Sequence, residues 1–295
     1  MTYVASPSVR SYAAQKGVDL SRVAAETGRE TLAREDVDRA ASGAPVPAPG
    51  WTASRYWQVD HAAFGPVEEE ALPRFAQVAA ANLSAANTAI PQVTHHDTAD
   101  MRAVEAFRAR LKPEAQARGV KLTALAFHVA VLARCLREFP RFNASLSAEG
   151  DRLILKDYVH VGIAVDTPHG LMVPVIRDAD RKGLWVIAAE ITDLAARAQA
   201  RKVRPDEMGG ASMSISNLGG IGGSGFTPIV NPPEVAILGL TRTQMQPVWE
   251  LDAWVPVPMC PLDLSYDHRV VNGADAARFL SRYAALIGDL RRLII

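Results

Sequence analysis

Ser265-Tyr-Asp-His-Arg-Val-Val-Asn-Gly273 joins the apolar run at residues 257–266 to a strongly patterned helix. The run alternates as a strand does. The helix carries Ala276, Phe279, Leu280, Tyr283 and Ile287 at i, i+3, i+4, i+7 spacing, one turn prolonged, which is the stripe of a core-facing helix. A strand, a short turn ending at Gly273 and a packed helix together predict an α/β domain. The same reading places His268 at a strand end, rigidly held beside a turn.

Working back along the chain, strands are expected at residues 95–100, 158–165, 171–176, 212–216 and 235–240. Helices are expected at 101–118, where Val104, Phe107 and Leu111 share a face and Pro113 is a candidate kink, at 122–139, and at 184–201 before Pro205. Residues 51–295 therefore read as one α/β domain. Gly219-Gly-Ile-Gly-Gly-Ser-Gly225 lacks the Lys-Ser/Thr of a phosphate loop and the context of a dinucleotide turn, so a β-hairpin is expected there.

Ahead of this domain, residues 5–40 form a small helical module. Ser6-Pro7 supplies an N-cap and first-turn proline, Gly17 a C-terminal stop, and residues 34–41 a second helix. Residues 41–50, ASGAPVPAPG, are a linker whose alternating proline and alanine favour extended polyproline II.

Composition narrows the function. Lys and Arg total 32 and Asp and Glu 32, so no bulk field favours nucleic acid or an anionic membrane. Two cysteines cannot make a disulfide framework, and Cys135 reads as a small buried hydrophobe. No run of 18 uncharged apolar residues occurs and the N-terminus has no apolar leader core, so a cytoplasmic protein is expected.

A histidine at a strand end suits a base that must accept a proton at fixed distance. The competing reading is a satisfied core histidine, and the surrounding nonapeptide decides between them. It resembles the His-Arg-x-x-Asp-Gly signature of the dihydrolipoamide acyltransferases, core subunits of 2-oxo acid dehydrogenase complexes. Gly65-Pro-Val-Glu68, Ile90-Pro-Gln-Val-Thr94, Phe139-Pro-Arg-Phe-Asn143, VGIAVDTPHGLMVPV at 161–175, Ile215-Ser-Asn-Leu-Gly219 and FTPIVNPPEVAI at 226–237 resemble family segments in family order. Residues 215–249 are nearest in pattern to bacterial acetyltransferases of pyruvate dehydrogenase complexes. Residues 5–40 are similar to the family's peripheral subunit-binding domain, and 41–50 to its interdomain linker.

The resemblance implies a chloramphenicol-acetyltransferase-like catalytic domain, a mixed sheet flanked by helices. It implies acyl transfer between a dihydrolipoyl group and coenzyme A, with His268 as general base and Ser216 as hydroxyl donor to the tetrahedral oxyanion. On sequence alone Ser216 also reads as a serine bonding a strand-end backbone group. Asn272 stands where the family usually has Asp; an amide hydrogen bonds at both ends but cannot act as a buried anion, so any ion pair with Arg74 is in doubt while activity is still expected. Arg74 matches an arginine that shapes the family's site, and Thr227, Pro228 and Asn231 match the border of its coenzyme A channel.

The resemblance further implies homotrimers with His268 and Ser216 on different subunits, built into a cubic or dodecahedral core. Leu293-Ile-Ile295 reads equally as an inter-trimer plug or as the end of a core helix. The family's lipoyl domain is not within these residues, so the lipoyl group is expected from a domain outside them. Expected partners are the 2-oxo acid decarboxylase and dihydrolipoyl dehydrogenase. Arg10 matches a partner-contacting arginine, but Ser11, Ala14 and Arg29-Glu30-Thr31 replace basic and glycine-rich positions, so weakened or altered partner binding is expected. Two other functions remain open: a non-catalytic scaffold, and a coenzyme A-dependent transferase with a small-molecule acceptor. His95, His96 and Asp97 alternate faces and make a poor metal set, His128 reads as core, and residues 68–70 as a solvated acidic run.

Overall fold

The computed structural model describes residues 4–27, 31–42, 59–168 and 170–293. The linker stretch 43–50, Arg29, Glu30, Ile294 and Ile295 lie outside the described residues. The chain divides into two compact units, Met1–Ala71 and Leu72–Ile295.

In the first unit, β1 (Val4–Ala5) pairs in parallel with β2 (Thr31–Leu32), and there are three helices, α1 (Pro7–Lys16), α2 (Leu20–Thr27) and α3 (Arg34–Ser42), of which α1 and α3 follow the cues read from sequence. The Ser6 hydroxyl accepts the Val9 N–H at 3.4 Å, and Gly17 closes α1 at φ 67°, a left-handed backbone that costs a glycine little. Val9, Ala13, Leu20, Val23, Leu32 and Val37 make its small core. Sequence reading missed α2, whose eight residues carry only two full turns of pattern.

The second unit contains α4 (Arg74–Ala89), β3 (Gln92–Asp100), α5 (Arg102–Ala117), α6 (Ala124–Glu138), a small antiparallel pair β4 (Ala144–Leu146) and β5 (Leu153–Leu155), then β6 (Val161–Ala164) and β7 (Val175–Ile176). It continues with α7 (Leu184–Gln199), β8 (Met213–Asn217), β9 (Ala236–Leu240), β10 (Gln244–Glu250), β11 (Ala253–Asp267) and α8 (Gly273–Gly288). Seven strands form one mixed sheet in the order β10-β11-β9-β8-β6-β7, with β3 also on β11. The β6, β8 and β9 strands are parallel to one another and the remaining pairs antiparallel. The fold is thus the mixed α/β arrangement expected from the sequence. Helix α5 runs through Pro113 without ending. The expected strand at 171–176 shrinks to β7 plus a bridge between Val165 and Met172.

One expectation is corrected. The glycine-rich segment 219–225 is not a hairpin, because the strands on either side, β8 and β9, run parallel. A hairpin reverses direction, whereas parallel neighbours need a crossover. The segment begins that crossover.

Period two separates the two faces of the sheet. Met213, Ile215, Leu238, Leu240, Leu262, Leu264 and Tyr266 point into one core with α5–α8. Within it Phe142 stacks on Phe279 at 4.2 Å and Phe139 meets Phe279 edge-on at 5.5 Å. His128 is buried as expected, its Nδ1 2.7 Å from the Tyr283 hydroxyl, and burial lowers its pKa to about 4. Cys135 is buried and its thiol is pushed up to about 12 by desolvation, which makes it an inert packing residue. On the opposite face most residues are small or polar, with Ile237 in a small apolar cluster beside Ile90 and Val230, and the candidate site residues lie there and at its edge.

Candidate active site

The turn after β11 is pinned from both sides. The Asp267 N–H donates to Val235 O at 2.9 Å, the His268 N–H to Pro91 O at 3.1 Å, and the Val270 and Val271 N–H groups return to Asp267 O at 3.0 Å. Val270 and Val271 are buried, which turns His268 and Arg269 outward. The imidazole is exposed, tilted 6.0 Å from the Tyr266 ring, and Arg269 is engaged by a fork to the buried Asp267 carboxylate, with contacts of 3.0 and 2.7 Å. Asn272 is the N-cap residue of α8 by backbone, at φ −88° and ψ 158°, but its side chain makes no capping bond. That leaves the amide free for another partner.

Ser216 lies on the polar face of β8. Ladder pairing sets it in a row with Ala164, Gly239, Asp263 and His96 across five strands. Gly239 is required here: a Cβ would meet the Phe226 ring at 2.7 Å, so only glycine lets that ring lie on the sheet. The Ser216 hydroxyl has no hydrogen-bond partner among the described residues. The strand-end bonding that sequence alone allowed falls instead to Asn217, whose Oδ1 accepts the Gly219 N–H at 2.9 Å.

One chain does not bring Ser216 and His268 together. Ser216 is level with Asp263, five residues before His268 and two strands away. At roughly 3.4 Å per residue and about 4.8 Å per strand, the separation is on the order of 20 Å.

The coenzyme A candidates also divide. Thr227 and Pro228 border a polar cavity of about 400 Å³ with Thr94, His96 and Ser265, while Asn231 borders a separate cavity of about 310 Å³ with Glu234. Arg74 is exposed at the first position of α4 and forms no ion pair among the described residues.

Two buried carboxylates escaped the sequence reading. Asp263, 2% exposed, binds His96 Nδ1 at 2.6 Å and accepts the Phe226 N–H at 3.1 Å, so His96 is anchored within its strand face rather than in a metal set. Among the described residues no group of three His, Cys, Asp or Glu side chains could hold a metal ion. Glu234, 5% exposed, accepts the Ser214 hydroxyl at 2.9 Å. Burial drives its pKa up to about 7, against the hydrogen bonds of Ser214 and Asn231 and the charge of Lys156. A lone Asp within the apolar run 257–266 was the available signal for the first. Glu234 gave none, since Pro232-Pro233-Glu234 reads as a loop.

The sequence model described as "2-oxoacid dehydrogenases acyltransferase (catalytic domain)" matches residues 65–295, most of the chain. The chain belongs to that family. Residues 4–37 match the "e3 binding domain". The chain is similar to the "dihydrolipoyllysine-residue acetyltransferase component of pyruvate dehydrogenase complex" of Pseudomonas aeruginosa, 49% identical over 99% of this chain and 55% of the relative. Its counterpart in Bacillus subtilis is 37% identical over 99% of this chain and 68% of the relative. The chain spans about half the length of the Pseudomonas relative, 55% of it. Two solved structures share the fold at TM-score 0.79. One is the Azotobacter vinelandii dihydrolipoamide acetyltransferase, at 49% identity over 80% of this chain and 98% of that one. The other is the cubic core of a pyruvate dehydrogenase multienzyme complex, at 50% identity over the same shares of 80% and 98%. No helix among the described residues is long and apolar enough to cross a membrane.

Proposed function

We propose that this acyltransferase-family chain moves an acetyl group between coenzyme A and a dihydrolipoyl group, as part of a pyruvate dehydrogenase complex in the cytoplasm. The observation that carries the reading is one of spacing and position. Ser216 precedes His268 by 52 residues and Asn272 follows it by four, the same intervals as the serine, histidine and asparagine named for the mechanism of the Azotobacter enzyme. Among the described residues neither the exposed His268 ring nor the half-buried Ser216 hydroxyl makes a hydrogen bond. The asparagine there also supports reading Asn272 as a working substitute for Asp.

The chemistry follows from the groups. A thiol with a pKa near 8.5 is mostly protonated at neutral pH. A neutral His268 takes the thiol proton as sulfur attacks the thioester carbonyl, and the negative charge moves to the carbonyl oxygen. The Ser216 hydroxyl donates to that oxyanion. The intermediate collapses, the carbon–sulfur bond to the other thiol breaks, and the leaving thiolate recovers the proton from the imidazolium. The Asn272 carbonyl accepts the Asp275 and Ala276 N–H groups at 3.0 Å and so fixes the end of the turn that presents the ring, while its side-chain amide bonds to none of the described residues. With roughly 20 Å between them in one chain, Ser216 and His268 act together only across a subunit boundary, which favours a homotrimer and, by likeness to the solved cubic core, a larger cage. Thr227, Pro228 and Asn231, with Arg74, are the proposed coenzyme A border. The N-terminal unit is proposed to hold dihydrolipoyl dehydrogenase or the decarboxylase, weakly. Arg10 spends its Nε on Ala5 O at 3.1 Å, and Ser11 and Ala14 add no charge beside it.

A steady-state assay with acetyl-CoA and free dihydrolipoamide tests this. Wild type turns over, and His268→Ala loses about 10²–10⁴-fold in kcat. No turnover in either protein would establish a scaffold, and turnover only with another acceptor would establish a different transferase. Acetyl-, isobutyryl- and succinyl-CoA compared side by side decide acyl preference.

A further inference from the structure

The Asp263 carboxylate stands on the polar face of the sheet, 2% exposed, and takes two donors. The His96 ring meets Oδ1 through Nδ1 at 2.6 Å, and the Phe226 N–H donates to Oδ2 at 3.1 Å. Burying a carboxylate is costly unless it is paired and hydrogen bonded. Such a pair is weak evidence for net stability, so its use lies in the geometry it imposes.

What it imposes is the path of residues 225–230, which lead from β8 towards β9 without joining a strand. Two side chains of the sheet hold this segment by its backbone. Asp263 takes the Phe226 N–H, and Gln92 Oε1 takes the Val230 N–H at 2.7 Å. Glycine makes room for the first anchor. A Cβ on Gly225 would sit 3.3 Å from Asp263 Oδ1, and one on Gly239 would meet Asp263 Cβ at 3.1 Å and the Phe226 ring at 2.7 Å. The ring is thereby seated on Gly239, the ladder partner of Ser216. Thr227, Pro228 and Ile229 hang between the two anchors and line the cavity of about 400 Å³.

We infer that Asp263 is a positioning residue for coenzyme A: by holding the Phe226 N–H it sets where Thr227 and Pro228 stand along the coenzyme's path. The inference rests on the acyl-transfer reading, which makes those two residues the coenzyme A border. Ser216 is outside its reach, because the β6 and β9 ladders fix β8 from both sides. The His96 ring completes the hydrogen bonding of the carboxylate.

Hydrogen–deuterium exchange of the full chain, read at single residues by mass spectrometry, tests the anchor without turnover. The Gly225 and Thr227 N–H groups make no hydrogen bond among the described residues. In the wild type the Phe226 amide therefore exchanges about tenfold or more slowly than these two neighbours. Asp263→Ala removes that protection and weakens coenzyme A, titrated by calorimetry, by about tenfold, the loss expected for a charge-assisted hydrogen bond. Its KM for dihydrolipoamide stays within about twofold of wild type, a split that a general loss of structure would not give. Asp263→Asn keeps an acceptor for Phe226 and offers a donor to His96 in its other tautomer, and both readouts return to within about threefold of wild type. An unprotected Phe226 amide in the wild type overturns the inference with no variant, so the test survives an Asp263→Ala protein that fails to fold. Unchanged coenzyme A binding in Asp263→Ala, or an equal loss for both substrates, overturns it as well. A protein that shows the protection and the coenzyme A shift but transfers no acetyl group keeps the positioning role and refutes the acyl-transfer reading instead.

Discussion

Glu234→Gln should reverse the pH dependence of stability. Burial raises the Glu234 pKa from 4.5 to about 7, so between those values the folded state holds a proton that the unfolded state has lost. The stability from this group is complete below pH 4.5 and lost as pH rises to about 7. At about 1.36 kcal/mol per pKa unit the loss is roughly 3 kcal/mol. His128 acts in the opposite sense. Its pKa falls from 6.5 to about 4 on burial, so its contribution is complete above pH 6.5 and lost as pH drops towards 4. That loss is also roughly 3 kcal/mol. Across pH 4.5–6.5 the two slopes oppose and largely cancel, leaving a net decline only as Glu234 finishes ionising. The glutamine mimics the protonated acid in shape and neutrality, which removes one slope and exposes the other. Stability of the variant should therefore rise by roughly 3 kcal/mol from pH 4 to 6.5 and then level off. At pH 8 it should exceed wild type by a similar amount, which for a domain of this size means a Tm higher by roughly 6–12 °C. Calorimetric melts at fixed protein concentration from pH 4 to 8 measure this directly. Coincident Tm values at pH 8, or parallel pH profiles for the two proteins, would refute the reasoning.

Three other outcomes are expected. His268→Ala and Ser216→Ala should each be nearly inactive as pure proteins, the serine change costing about 2.7–4 kcal/mol in the barrier. Unfolding and refolding an equal mixture should restore roughly a quarter of wild-type activity, because a cyclic trimer then contains sites that join one intact histidine to one intact serine from neighbouring chains; an inactive mixture would place both groups of each site in one chain. Phe279→Ala removes the partner stacked on Phe142 at 4.2 Å and should cost about 3–5 kcal/mol, read as a fall in Tm. Tyr283→Phe strands the buried His128 ring nitrogen, now 2.7 Å from the hydroxyl, and should cost about 1–3 kcal/mol by the same melts.

The sequence by itself determined whatever depends on neighbours in the chain. The strand, turn and helix around His268 are legible because alternation, Gly273 and the stripe from Ala276 to Ile287 all lie within a few residues of one another. The same holds for the Ser6 cap, the Gly17 stop and the burial of His128 inside an apolar helix. The α/β class followed from the succession of such elements.

Tertiary structure alone decided what depends on which strands become neighbours. The segment 219–225 reads locally as a turn, and only the parallel pairing of β8 with β9 makes it part of a crossover. His96 finds Asp263 across 167 residues, and Ser214 finds Glu234 across a loop that has no periodicity. The distance between Ser216 and His268 likewise emerges from ladder register. Local pattern fixes which face a side chain prefers, but strand order and register are set by burial summed over the whole core, and no short window of sequence contains that sum.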